Sequence, residues 1–317
     1  MLRNIENIWL KYLLIVFLLA IQTGFADSYA QETNKSKGKI NGQTYSYCMM
    51  KPQHEIKGIL ILLPGWGENL SGIFKKTSLP HLLAGKGYLT IIPELRKILF
   101  ADDQTIAELK QLIKLVAENY NLIKPDLILG GLSAGGAIAI GFAEHLLATD
   151  SLTTLKGVFA VDPPLDLERM YASAESKIQY KCGGLVRKEG YFIKSYLENA
   201  LGGPPESKPE QYKKFSCHSA ASMENTNAKW LKKIPIRLYT EPDLDFVRRK
   251  YCEQLQFEDI NAFDLQKLHQ FLVQAGNDKC QYITTQGKGF HSWNIVDAED
   301  CTNWIITLTG NVPDDKK

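Results

Sequence analysis

The sequence predicts an α/β fold, a mostly parallel sheet with helices on both faces. From Gly58 onward, short apolar runs alternate with helical patterns, the rhythm of strand and crossover helix. The chain has 317 residues, 44% of them hydrophobic and 23% charged, enough to bury one large core and too apolar for global disorder. Its 37 basic and 35 acidic residues leave a net charge of +2, which removes the strongly basic footprint of a nucleic-acid binder.

Residues 1–26 read as a leader outside the fold. Arg3 and Lys11 precede an unbroken apolar run from Tyr12 to Ile21, and Gly24 and Ala26 supply the small residues of a cleavage site before Asp27. Ten residues at helical rise reach about 15 Å, half of what a bilayer core requires, so the run suits a signal-peptide core better than a permanent span. The expectation is an exported chain with no membrane span after cleavage, its residues 27–317 forming one domain. Export also lets cysteines pair. Among the six, Cys182 with Cys217 would tie an insertion to itself, and Cys280 with Cys301 would join a late strand to the last helix. Neither CxxC nor HxxxH spacing occurs, so no metal site is expected.

The elements follow in order. Thr44 to Met50 is placed as an antiparallel edge. Ile59 to Leu63 reads as a buried strand ending at Pro64-Gly65, Leu79 to Lys86 as a short helix, and Tyr88 to Ile92 as the next strand. Asp103 can cap a helix whose apolar residues Ile106, Leu109, Leu112, Ile113, Val116 and Tyr120 recur at three and four residue intervals. Leu127 to Leu129 is a strand, and Ala137 to Leu147 a helix rich in small residues. Gly157 to Val161, Ile236 to Thr240 and Gln281 to Thr285 supply further strands, with helices near Asp259 to Gln274 and Asp297 to Leu308. Between Asp162-Pro163-Pro164 and Ile234 the rhythm breaks for about seventy residues, too long for an ordinary connection. This stretch reads as a helical insertion over about residues 165–230, with Arg187 to Leu201 helical and Lys208 to Lys214 polar and exposed.

Gly131-Leu132-Ser133-Ala134-Gly135 joins the strand at Leu127 to the helix that follows it. A serine hydroxyl is a weak nucleophile until a base takes its proton, and it must protrude where a carbonyl can approach. A tight strand-to-helix turn presents it, and such a turn needs residues without side chains two positions to either side. On this GxSxG element and its context the chain resembles the α/β-hydrolase superfamily, its esterases and lipases in particular, from about Gly58 to Leu308. The resemblance implies a Ser, acid, His triad in that chain order, at the C-terminal ends of parallel strands.

Ser133 is then the expected nucleophile and His291, in Gly287-Lys288-Gly289-Phe290-His291-Ser292-Trp293 beyond the last strand, the expected base. The acid is expected after the strand at Ile236 to Thr240, with Asp243 preferred and Asp245, Glu241 and Asp162 left open. The oxyanion would be held by the N–H of Ala134 and by that of Trp66 in Pro64-Gly65-Trp66-Gly67, which stands where the family carries His-Gly-x; Pro64 replaces the histidine. The expected activity is hydrolysis of a carboxylic ester on a small molecule or a polysaccharide, through an acyl-enzyme and without cofactor. A serine peptidase or aminopeptidase of the same fold, and a silent binding protein on this scaffold, are the alternatives.

Overall fold

The computed structural model describes residues 33–40, 43–149, 154–220 and 226–310. The leader read at residues 1–26 lies outside them. Eight strands form one sheet in the order β1-β2-β4-β3-β5-β6-β7-β8. They are β1 (Thr33–Ile40), β2 (Gln43–Met50), β3 (Gly58–Leu63), β4 (Tyr88–Pro93), β5 (Asp126–Leu132), β6 (Thr154–Val161), β7 (Ile236–Thr240) and β8 (Cys280–Thr284). β1 pairs with β2 and β2 with β4 antiparallel; every other pairing is parallel. The segment expected at the edge, β2, is therefore second from it, with β1 outside. Lys37 is exposed on this outer strand, and a charged side chain there resists pairing with other chains.

The central strands carry near-continuous apolar runs, Gly58–Leu63 in β3 throughout, because both faces are covered. Ile59, Ile61, Leu63, Leu127, Leu129, Val158 and Ala160 point to one face. There they meet α3 (Asp103–Asn119), α4 (Ala134–Thr149) and α9 (Ala262–Gln274). The alternate residues Leu60, Leu62, Ile128, Phe159 and Val161 point to the other face, against α1 (Leu70–Lys76), α2 (Leu79–Gly85) and α10 (Ala298–Leu308). The α3 stripe buries Leu109, Leu112, Ile113 and Val116 as its spacing requires. Its N-cap is Asp102 rather than Asp103, the Asp102 carboxylate accepting from Thr105 N–H at 2.7 Å.

Between β6 and β7 the chain forms α5 (Leu167–Gln179), α6 (Gly184–Leu201), α7 (Pro209–Phe215) and a 3₁₀ turn at Asn227–Lys233. Gly202, at φ 84°, ends α6 in the left-handed conformation that side chains resist. The stretch expected to be exposed and polar is the short α7, whose Tyr212 is buried against Tyr171. After β7 come α8 (Leu244–Lys250) and a 3₁₀ turn at Phe257–Asp259. The expected disulfides do not form. Cys182 pairs instead with Cys252, joining the turn before α6 to the end of α8. Cys217, Cys280 and Cys301 are buried thiols, and burial pushes the last two up to about 12.

Candidate active site

Every candidate residue stands at the C-terminal edge of the parallel strands. Ser133 follows β5 at φ 54°, a conformation that costs energy in any residue with a Cβ, and its N–H is held by the Val161 carbonyl at 2.8 Å. The two flanking glycines are forced. A Cβ on Gly131 would lie 2.4 Å from the Gly135 backbone, and one on Gly135 would lie 2.3 Å from the Leu63 carbonyl oxygen. The close approach at Gly135 also seats the loop after β3 against the start of α4. Ser133 itself is partly accessible, and Ala134, as the first residue of α4, has an N–H with no intrahelical acceptor.

Asp162 follows the neighbouring strand β6, also at positive φ (47°). Its backbone is fixed on both sides, N–H to the Tyr239 carbonyl at 2.8 Å and carbonyl accepting from the Asn261 side-chain amide at 2.9 Å. Its carboxylate accepts from Thr240 Oγ1 at 2.7 Å and meets His291 Nδ1 at 2.6 Å. An ionised carboxylate only accepts, so the proton sits on Nδ1 and leaves Nε2 of a neutral imidazole as a base. Burial disfavours the imidazolium, but the hydrogen bond and charge of Asp162, with smaller contributions from Glu189 and Glu68, outweigh it and raise the His291 pKa above its ordinary 6.5. The Asp162 side chain is only 5% exposed and that of His291 38%, so solvent screens part of this attraction.

The aspartate preferred from the sequence does something else. Asp243 is the N-cap of α8, its Oδ1 accepting from Phe246 N–H at 2.8 Å, and the carboxylate paired with His291 is that of Asp162. Asp245 lies in the first turn of α8 and is exposed. The signal was present in the sequence: an aspartate immediately before seven helix-forming residues that end in Arg248-Arg249-Lys250 is a cap with a dipole-matched last turn. Asp162, by contrast, precedes two prolines and starts no helix of its own.

Glu241, the first residue after β7, holds the histidine loop by its backbone. Its Oε2 accepts from Lys288 N–H at 2.7 Å and Thr285 Oγ1 at 3.0 Å, and its Oε1 accepts from Phe290 N–H at 3.0 Å. The residue is 4% exposed; burial works against its charge, but these hydrogen bonds prevail and lower its pKa. The loop needs such a clamp because Gly287, Gly289 and Phe290 all have positive φ. Among the described residues five non-glycines do so, and Ser133, Asp162 and Phe290 are three of them.

On the opposite side, Glu68 ties two loops together. Its carboxylate accepts from Gly65 N–H at 2.8 Å, from Lys76 at 2.6 Å and from the Trp293 indole at 3.3 Å. Together with the Glu68 N–H to Gly65 carbonyl bond, this shapes the turn that carries Trp66. The Trp66 ring makes edge contacts with Phe192 and Tyr196 of α6, at centroid distances of 5.7 and 5.2 Å. Trp66 and Ala134 line a common cavity of about 480 Å³ with Glu68 and Arg96. Nothing in the sequence marks Glu68; its role arises only from the meeting of two loops 225 residues apart.

No protein-family model matches the sequence, and no curated protein does. Solved structures do resemble it. An acylaminoacyl peptidase from Pyrococcus horikoshii is 11% identical, with a TM-score of 0.59 over 93% of this chain and 45% of the peptidase, so the chain spans less than half of that protein. An S-formylglutathione hydrolase from Agrobacterium tumefaciens is 10% identical, with a TM-score of 0.55 over 90% of this chain and 96% of its own. An esterase from Pyrococcus furiosus is 15% identical, with a TM-score of 0.51 over 89% and 93%. The protein has the α/β-hydrolase fold.

Proposed function

We propose that this protein is an exported serine hydrolase that cleaves carboxylic esters through an acyl-enzyme, with Ser133, Asp162 and His291 as its triad. The observation that carries the reading is the 2.6 Å bond from His291 Nδ1 to Asp162, beside a serine held at positive φ at the end of the adjacent strand. Neutral His291 takes the Ser133 proton on Nε2 as Oγ attacks the ester carbonyl. The N–H groups of Ala134 and Trp66 face the oxyanion, and Asp162 stabilises the imidazolium. His291 returns the proton to the departing alcohol oxygen as the C–O bond breaks. Water then repeats the sequence on the acyl-enzyme, restoring the hydroxyl of Ser133 and releasing the acid.

The resemblance to an esterase and a formylglutathione hydrolase over about nine-tenths of their lengths supports ester chemistry. The peptidase is matched over only 45% of its chain, so peptide hydrolysis is the second reading. The signal-like residues 1–26 and the Cys182–Cys252 disulfide support export.

Ser133→Ala is expected to abolish labelling by a fluorophosphonate probe and to lower ester kcat at least 10³-fold while the thermal midpoint stays within a few degrees. Undiminished turnover in that variant refutes the assignment. A panel of esters and aminoacyl anilides separates the two readings.

A further inference from the structure

A cavity of about 360 Å³ opens beside His291 and Asp162, under the insertion and apart from the one lined by Trp66 and Ala134. One wall is α5 and α6, with Met170, Ala174, Val186 and Ile193. The other is α8 and the turn that follows it, with Val247 and Ile260, and Phe290 closes the side next to the imidazole. The disulfide between Cys182 and Cys252 fastens these walls to each other, so the cavity is formed before any ligand arrives.

Most of its polar lining is already paired within the protein. Arg169 makes a two-point contact with the Asp264 carboxylate and donates to the Glu258 carbonyl at 3.3 Å. Asp259 accepts from Ser173 Oγ and Tyr180 OH, each at 2.7 Å, and from Gln256 N–H at 2.8 Å. Lys177 pairs with Glu189 at 3.2 Å, and Asn261 holds the Asp162 carbonyl. A charged ligand would meet groups that are mostly paired with each other and would lose its own hydration, whereas an apolar group only displaces water from the aliphatic walls.

We propose that this cavity is the leaving-group site, taking the alcohol part of an ester whose alcohol is neutral, apolar and compact. The inference rests on the proposed serine hydrolase reading. In that chemistry protonated His291 delivers its proton to the departing oxygen, so the alcohol side of the scissile bond faces the imidazole and the cavity His291 lines. The oxyanion donors line the other cavity. A volume of 360 Å³ lies near the lower end for ligand sites, which span about 300–1,000 Å³. It fits a benzyl group or an alkyl group of about six carbons.

The test uses the full chain with two ester series, acetates of ethanol, butanol, hexanol and benzyl alcohol, and ethyl esters of the matching acids. In the acetate series kcat/KM is expected to climb at least tenfold from ethyl to hexyl or benzyl. Acetylcholine is expected to be at least tenfold worse than 3,3-dimethylbutyl acetate, its uncharged isostere. Ala174→Phe, which fills the cavity from α5, is expected to cut the hexyl-to-ethyl preference at least tenfold. Val247→Phe does the same from the other wall, so one poorly folded variant leaves the other to decide. If Ser133 takes a fluorophosphonate label and esters turn over but rates follow acid length alone, or acetylcholine matches its isostere, the leaving-group site is overturned and the hydrolase reading stands. If Ser133 takes no label and no ester turns over, both fall.

Discussion

The ends of β6 and β7 each carry a buried carboxylate, and the two serve the same histidine by different routes. Asp162 meets the imidazole itself; Glu241, one strand further along the sheet, meets the backbone on either side of Gly289 and the Thr285 hydroxyl, and not the imidazole. Side chain length and backbone conformation separate them. Asp162 stands at positive φ, with its carbonyl pinned by Asn261, and places a short carboxylate beside Nδ1. Glu241 is long enough to reach under the loop, where both its oxygens are taken by donors and neither is left for a side chain on the far side. One carboxylate therefore sets the tautomer and charge of His291, and the other sets where His291 stands.

Substituting each in turn separates charge from position. Asp162→Asn should have the larger effect, a loss in kcat on the order of 10³–10⁴, because the amide favours the wrong imidazole tautomer and no longer stabilises the imidazolium. Wild-type kcat/KM is expected to rise with pH through an apparent pKa above 6.5, the direction set by the Asp162 bond outweighing burial. In Asp162→Asn the burial contribution is left without its main opponent, and that midpoint should move down. An unchanged midpoint with unchanged turnover would show that His291 is indifferent to Asp162.

Glu241→Gln comes second. One of its two side-chain heteroatoms becomes a donor, so at least one N–H of the histidine loop loses its partner, at a cost of about 1–3 kcal/mol. Activity is expected to fall about ten- to a hundredfold as the loop samples other positions. The midpoint of the pH profile should stay put, because the Asp162 bond persists whenever the loop is in place. Stability has its own sign. A carboxylate whose folded pKa lies below its ordinary 4.5 contributes stability above that pH and loses it as pH falls. Chemical denaturation at pH 7 and pH 3.5 checks this: the gap between wild type and Glu241→Gln should narrow at the lower pH.

The same contrast explains what the sequence made legible. The sheet was readable because strands covered on both faces leave uninterrupted apolar runs such as Gly58–Leu63, and Gly131 and Gly135 announced a turn that admits no Cβ. Local pattern also pointed to Ser133 and His291 as candidates, each beyond its own strand end. Which carboxylate meets His291 was not readable, since it depends on how Asp162 and Glu241 are turned by contacts 129 and 49 residues away in the chain. The disulfide was hidden for the same reason: Cys182 and Cys252 are 70 residues apart and meet only once α6 and α8 face each other across the cavity.

Asp243→Ala is the smallest effect and the sharpest control on the comparison. Its carboxylate caps α8 through Phe246 N–H, so removing it should cost about 1 kcal/mol, the usual worth of an aspartate cap. Turnover should stay within about threefold and the pH midpoint should not move, because no bond links this residue to the histidine loop. Esterase kinetics over pH 5–9 beside a denaturation curve measure both quantities. A loss of activity as large as that of Asp162→Asn would return Asp243 to the triad and leave the Asp162 contact without a catalytic consequence. The expected outcome, a measurable stability loss with nearly intact catalysis, would show that of the acidic residues around β7 only the one preceding a helix acts on the helix, while the strand-end carboxylates act on the imidazole and its loop.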